Sequence, residues 1–193
     1  DIAAEAERAG EIVRCIRGFV SKHEPHLQSI DINGLVRETL HLVELDPNWQ
    51  GIGFRLEADL SEPRVLADPV MIEQVILNLV HNALEAMDEG ESHDGHRLVL
   101  RLQVENAGDE RPELEIRISD TGPGVPEELR ERIFYPFFTP KERGSGVGLA
   151  NAQKVILSHG GSIAVESEPG QGTVFTILLP VSAAARRVRR RAG

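Results

Sequence analysis

Asp68-Pro-Val-Met-Ile-Glu-Gln-Val-Ile-Leu-Asn78-Leu-Val-His-Asn82-Ala-Leu-Glu85-Ala-Met87 is the stretch from which the fold is read. A capping Asp followed by Pro at the first helical position is a strong helix start. The apolar spacing carries that helix to about Met87. At 100° per residue, Ile72, Val75, Ile76, Leu79, Ala83, Ala86 and Met87 share one broad face. Asn78, His81, Asn82 and Glu85 share the opposite one. That second face holds two amides and an imidazole rather than the Lys and Glu of an ordinary solvated surface. Amide oxygens suit Mg²⁺, a hard cation that takes few protein ligands. Taken alone, an exposed polar face explains it equally well.

Downstream, Asp88 to His96 is a polar loop. Leu98, Leu100, Leu102 and Val104 alternate with polar residues, and Leu114, Ile116 and Ile118 do the same after a turn containing Gly108 and Pro112. The pair predicts an antiparallel hairpin. A glycine-rich, loop-rich stretch covers Asp120 to Gly148, and a helix follows from Val147 to about His159. Strands at Ser162–Ser167 and Thr173–Leu179 flank the turn Glu168-Pro-Gly-Gln-Gly172, and Pro180 ends the folded part. Upstream of the central helix lie a short strand at Arg64–Ala67 and one near Ile52–Leu60. Before them, Asp31 or Asn33 caps a helix through Leu35, Val36, Leu40, Val43 and Leu45. This order predicts an α/β (α+β) two-layer sandwich: one mixed, mostly antiparallel sheet with helices on one face.

Three glycine-bearing segments sit where chemistry is done. Asp120-Thr-Gly122-Pro-Gly124 directly follows a strand; a carboxylate there can accept a hydrogen bond from an exocyclic amine. Gly144-Ser-Gly146-Val147-Gly148-Leu149 opens a helix, where free N–H groups and the positive dipole end suit phosphate. It lacks the Gly-Lys-Ser/Thr ending of a Walker loop. Lys141 precedes it and carries a positive charge, although a solvated loop lysine is the ordinary reading. Gly170-Gln-Gly172-Thr173 joins two strands, and as a hairpin turn needs no function.

The chain has 193 residues, 40% of them hydrophobic and 27% charged, the composition of one soluble domain with an appendage. No apolar run approaches the ~20 residues of a membrane span, and the opening residues do not resemble a secretory signal. A single cysteine, Cys15, fits a reducing, cytoplasmic setting. The net charge is −10, and five of the 21 basic residues, Arg186, Arg187, Arg189, Arg190 and Arg191, crowd into the last eight positions. The remainder is more acidic still, which disfavours general nucleic-acid binding. Ile2, Ala6, Ala9, Val13, Ile16 and Val20 form a heptad-like seam, expected on a helix that pairs with another copy or docks on its own domain.

In this order and spacing the motifs resemble those of the ATP-binding catalytic domain of sensor histidine kinases, a superfamily shared with the gyrase, mismatch-repair and heat-shock chaperone ATPases. Asn78 to Glu85 resembles the asparagine box, and Asp120 to Gly124 the first glycine box. Phe134-Tyr-Pro-Phe-Phe-Thr-Pro-Lys141 resembles the phenylalanine box. Gly144 to Leu149 resembles the second glycine box, and Gly170 to Thr173 the last glycine turn. The resemblance covers about residues 30–180. It implies ATP and Mg²⁺ as cofactors. Asn82 would be the metal ligand and Asn78 a second contact. Asp120 would hold the adenine amino group, directly and through a water shared with Thr173, in a pocket shaped by Gly122 and Gly124. Lys141 with Gly144, Gly146, Val147, Gly148 and Leu149 belongs to the phosphate-contacting region and its lid around Pro140–Ser145, which Phe134, Phe137 and Phe138 position. His81 and Glu85 are expected to make pocket contacts without catalysis.

Hydrolysing members of that superfamily usually carry Glu where this chain has Asn78, and Asn cannot take a proton from water. Slow hydrolysis and transfer to a protein histidine are therefore expected. Ala4–Pro25 resembles the second helix of a dimerisation domain; the first helix, with the phospho-accepting His, has no counterpart here, and His23 reads as a linker residue. The expected organisation is 1–24 partial dimerisation domain, 25–32 linker, 33–181 catalytic domain and 182–193 basic tail. Expected partners are ATP, an acceptor-histidine helix, a response regulator and a second copy through the N-terminal helix. A catalytically inactive nucleotide-binding module, a related ATPase and a serine kinase are the competing readings.

Overall fold

The computed structural model describes residues 25–58, 64–88, 95–105, 112–141 and 144–182. The N-terminal seam and the arginine-rich tail lie outside the described residues, as do 89–94 of the polar loop and 142–143 of the expected lid. In chain order the elements are β1 (Gln28–Asp31), α1 (Ile32–Glu44), β2 (Gly53–Ala58), β3 (Arg64–Ala67), α2 (Pro69–Asp88), β4 (Arg97–Glu105), β5 (Glu113–Asp120), α3 (Glu127–Arg130), α4 (Gly148–Ser158), β6 (Ser162–Glu168) and β7 (Gly172–Pro180), with 3₁₀ turns at Pro47–Trp49 and Arg132–Phe134. Among the described residues no helix is long and apolar enough to cross a membrane.

The strands form a five-stranded sheet, ordered β2-β4-β5-β7-β6, and a separate two-stranded sheet of β1 and β3. The expected single sheet is thereby corrected. The segment read as linker is corrected too: Gln28–Asp31 is a strand paired antiparallel with Arg64–Ala67. Four residues are too few to show alternation, and β1 exists because β3 supplies its partner. Asp31 Oδ1 then accepts from the Asn33 N–H at 3.0 Å, so α1 starts at Ile32 with Asp31 as its cap. β2 runs parallel to β4, whereas the other neighbours in the large sheet are antiparallel.

One face of the large sheet is apolar. Register places Leu102, Ile116 and Ile177 in one cross-strand row, and Leu100, Ile118 and Phe175 in the next. All six are buried. Each such side chain removed from water stabilises the fold by roughly 1.5–3 kcal/mol before entropy is counted. α2 packs on this face and also meets α1 and α4. Its buried stripe therefore widens to include Val80 and Leu84, whereas Ala86, expected in the core, is only half-buried.

Asp68 ties the start of α2 to the segment before β1 and to the end of α4. Its Oδ1 accepts from Val70 and Met71, capping α2, and its Oδ2 accepts from the His26 N–H at 2.9 Å. Burial pushes this carboxyl up, but the three backbone N–H groups outweigh it and hold it below the ordinary range. The Asp68 N–H donates to His159 Nε2 at 3.0 Å, which joins the end of α4 to the beginning of α2.

Candidate functional site

The apolar rows give way at one end of the sheet to a polar one. Leu98, Asp120, Thr173 and Ser167 lie in register across β4, β5, β7 and β6. The last three are polar and nevertheless buried. Asp120 Oδ1 accepts from the Gly122 N–H at 2.8 Å and the Thr173 N–H at 3.2 Å. Burial raises the Asp120 carboxyl above its ordinary value; those two N–H groups, then Lys141 and His96, act in the opposite direction without cancelling the rise. A buried carboxylate with limited protein donors is suited to a neutral amine N–H from a ligand.

Thr173 is brought to Asp120 as expected, but its hydroxyl is engaged elsewhere. It lies 3.1 Å from Ser167 Oγ. Ser167 donates to the Gly172 carbonyl at 2.7 Å and accepts from the Val125 N–H at 2.8 Å. Ser167 thus ties the first glycine segment to the last hairpin. Sequence reading missed it because a Ser ending a strand is unremarkable; only its register opposite Thr173 gives it a role.

Two glycines make this end possible. Gly124, at φ 76°, would place a Cβ 2.3 Å from the Glu168 carbonyl oxygen. Gly172, at φ 90°, would place one 2.0 Å from the Asp120 carbonyl oxygen. Both approaches are closer than any side chain permits.

The polar face of α2 carries the other candidate residues. Asn78 and Asn82 are half-buried, and His81 and Glu85 exposed. Asn82 Nδ2 is buried with no hydrogen-bond partner. A buried amide left unsatisfied costs stability, and the oxygen and nitrogen ends of an Asn amide are interchangeable by rotation. Gly148, the first residue of α4, approaches so closely that a Cβ there would lie 2.4 Å from Asn78 Oδ1. The α4 N-terminus is in this way brought against the asparagine face. Gly144 is similarly constrained, with Thr139 Oγ1 at 2.2 Å from its would-be Cβ. Val147 is buried and Leu149 packs against the core, so both contribute backbone rather than side-chain polarity. Lys141 Nζ reaches α2 and pairs with Glu85 Oε2 at 2.8 Å.

The phenylalanine residues divide. Phe134 meets Phe175 edge-on at 6.4 Å, and Phe138 lies under the Arg132 guanidinium at 4.4 Å. Phe137 does not pack inward. It is 70% exposed, has φ 66°, and its N–H donates to the Gly146 carbonyl at 2.7 Å. It anchors the glycine loop through its backbone. His81 faces Trp49 edge-on at 6.4 Å, so a residue from the 3₁₀ turn before β2 borders the polar face of α2. Nothing in the local sequence around Trp49 announces that position.

The ionised Asp120 carboxylate is held at an energetic cost. Its folded-state value is raised, so the native chain binds its proton more tightly than the unfolded chain does. Stability therefore falls as pH rises from the ordinary carboxylate value through the raised one. Asp120→Asn keeps the Oδ1 acceptor and removes that cost. It is expected to unfold at the same or a higher temperature at neutral pH, with the fall in stability between the ordinary and the raised carboxylate values abolished. Circular dichroism melts at several pH values check both parts.

The family model of histidine kinase-, DNA gyrase B- and HSP90-like ATPases matches residues 67–183. The sensor histidine kinase ZraS of Escherichia coli (strain K12) is 34% identical over 181 residues, covering 94% of this chain and 37% of ZraS. The sensor protein FixL of Bradyrhizobium diazoefficiens is 34% identical over 180 residues, covering 93% of this chain and 34% of FixL. The chain thus spans little more than a third of the length of these curated relatives. A solved catalytic domain of the histidine kinase ThkA superposes with a TM-score of 0.69 at 35% identity, covering 83% of this chain and 99% of that one. ThkA in complex with the response regulator TrrA gives a TM-score of 0.74 at 31% identity, over 94% of this chain and 49% of that one. With the carboxylate row, the asparagine face and the glycine loop all present, the chain belongs to the histidine kinase-, DNA gyrase B- and HSP90-like ATPase family and has the ATP-binding catalytic domain of its histidine kinases.

Proposed function

We propose that this chain is the ATP·Mg²⁺-binding catalytic module of a sensor histidine kinase. It passes the γ-phosphate of ATP to a histidine on a dimerisation helix outside residues 1–193, for relay to an aspartate of a response regulator. The observation that carries the reading is the unpartnered Asn82 Nδ2 one helical turn from Asn78, with the start of α4 pressed against that same face.

The residues present fit the expected groups. Asp120, in its buried row with Thr173 and Ser167, offers an acceptor to the adenine amine, and Gly122 and Gly124 let the backbone approach a flat base. Asn82 and Asn78 offer neutral amide oxygens to a hard divalent cation, which tolerates few protein ligands. The cation, when bound, supplies positive charge to the phosphate oxygens. Lys141 and the backbone of Gly146, Val147, Gly148 and Leu149 add donors for phosphate, while Gly144, whose N–H donates to the Lys141 carbonyl, shapes the loop. In phosphoryl transfer such positioning and charge neutralisation are most of what a protein contributes. Asn78 takes no proton, so attack by water has no base at this position. This supports transfer to an imidazole rather than ATPase turnover.

Mixing the chain with γ-³²P-labelled ATP, Mg²⁺ and a separate polypeptide bearing the acceptor-histidine helix tests the reading. Acid-labile label is expected on that partner and not on the chain itself. ATP binding without label on the partner would leave a nucleotide-binding module in place of a kinase.

A further inference from the structure

Glu85 is on the asparagine-bearing face of α2, three residues beyond Asn82. A carboxylate beside a polyphosphate site repels the ligand. In the structure it does not stand alone. Lys141 Nζ lies 2.8 Å from Glu85 Oε2 and 3.4 Å from the Asn82 carbonyl oxygen. Two acceptors within one turn of α2 thus hold one ammonium against the helix that bears the Asn82 amide. The two residues are 56 positions apart in sequence, so tertiary structure alone creates the pair. Lys141 is the more enclosed member, at 27% side-chain exposure against 55% for Glu85.

The lysine backbone is held as well. Its N–H donates to Thr139 Oγ1 at 3.2 Å, and its carbonyl accepts from the Gly144 N–H at 3.2 Å. Both ends of a long, flexible side chain are therefore placed before any ligand arrives. An ammonium has three N–H donors; Glu85 and Asn82 occupy two, which leaves one for a phosphate oxygen. Ordering the side chain in advance lowers what binding must later spend on it.

We propose that Glu85 is a positioning residue that acts on nucleotide only through Lys141, holding its ammonium beside Asn82 to meet the polyphosphate. This rests on the nucleotide-binding reading above and gives Glu85 an indirect role in place of a direct contact. The sign of the effect separates the two roles. With Lys141 present, the carboxylate assists binding by orienting a cation. Without Lys141, only its repulsion remains.

The test measures dissociation constants of ATP and of adenosine, in excess Mg²⁺, for the full chain and for Glu85→Gln, Glu85→Asp, Lys141→Met and the Glu85→Gln/Lys141→Met double variant. Glu85→Gln is expected to weaken ATP about fivefold, the scale of one partly exposed ion pair, and to leave adenosine unchanged. Glu85→Asp falls between Glu85→Gln and the unaltered chain. In the Lys141→Met background, Glu85→Gln is expected to tighten ATP instead of weakening it. Tighter ATP binding by Glu85→Gln with Lys141 in place overturns the proposal, because Glu85 would then be a competitor for the lysine. Equal weakening in both backgrounds overturns it in favour of direct contact, and parallel weakening of adenosine overturns it in favour of a structural role. Failure of the unaltered chain to bind ATP is a separate result that removes the nucleotide-binding reading itself, and this proposal with it.

Discussion

Asn82→Ala is expected to lower Mg²⁺-dependent phosphotransfer by about a hundredfold or more, the scale of losing a directly placed electrostatic group, while leaving the fold as stable as before. The two halves of this result have different origins. The functional half follows from removing the amide oxygen proposed to face the metal. The stability half follows from the buried Nδ2, which has no partner to lose. Ala is also the better helix former, by up to about 0.7 kcal/mol. Thermal midpoints should therefore be unchanged or raised, and adenosine, which brings no phosphate, should bind as before. Most substitutions of half-buried polar residues cost stability, so an activity loss without a melting change points to the ligand site. Unchanged Mg²⁺-dependent transfer in this variant would remove Asn82 from the metal site.

Gly172→Ala is expected to destabilise the protein by about 3 kcal/mol or more, combining backbone strain with a steric collision. At φ 90° an L side chain is strained whatever the space, and here the Cβ would stand 2.0 Å from the Asp120 carbonyl oxygen. The obstruction is backbone, not the end of a mobile side chain. Relief requires β5 and β7 to separate where Asp120 is paired with Thr173. A midpoint shift of about 6–12 °C follows for a domain of this size, with ATP affinity reduced in whatever remains folded. Gly170→Ala is the control. Its φ is 78°, but nothing lies within 4 Å of the added carbon, so only the conformational cost of about 1 kcal/mol applies. Equal melting of the two variants would show that the sheet end yields more readily than its geometry implies.

Periodicity made the central elements legible. The α2 stripe, the Leu98–Val104 and Leu114–Ile118 alternations and the last hairpin all appear where spacing placed them, because each buries a face whose pattern is local. β1 is not legible in the sequence because four residues carry too little pattern. The parallel pairing of β2 with β4, and the widening of the α2 core stripe to Val80 and Leu84, depend on neighbours distant in sequence. Residues 25–32 illustrate the general difficulty: a Pro and several polar residues describe a linker and a short edge strand alike.

The functional side chains divide along the same line. Sequence determined which residues are candidates for the chemistry, since the asparagine face follows from helical geometry and the glycine segments from their flanking strands and helix. Tertiary structure decided how they act together. The engagement of Ser167 with Thr173, the outward Phe137, the pressing of Gly148 on Asn78 and the reach of Lys141 to Glu85 join segments six to 70 residues apart. Residue type and local period are written in the chain because side-chain chemistry and backbone geometry act within a few residues. Contacts between distant segments are not, because they depend on how several packed layers settle against one another.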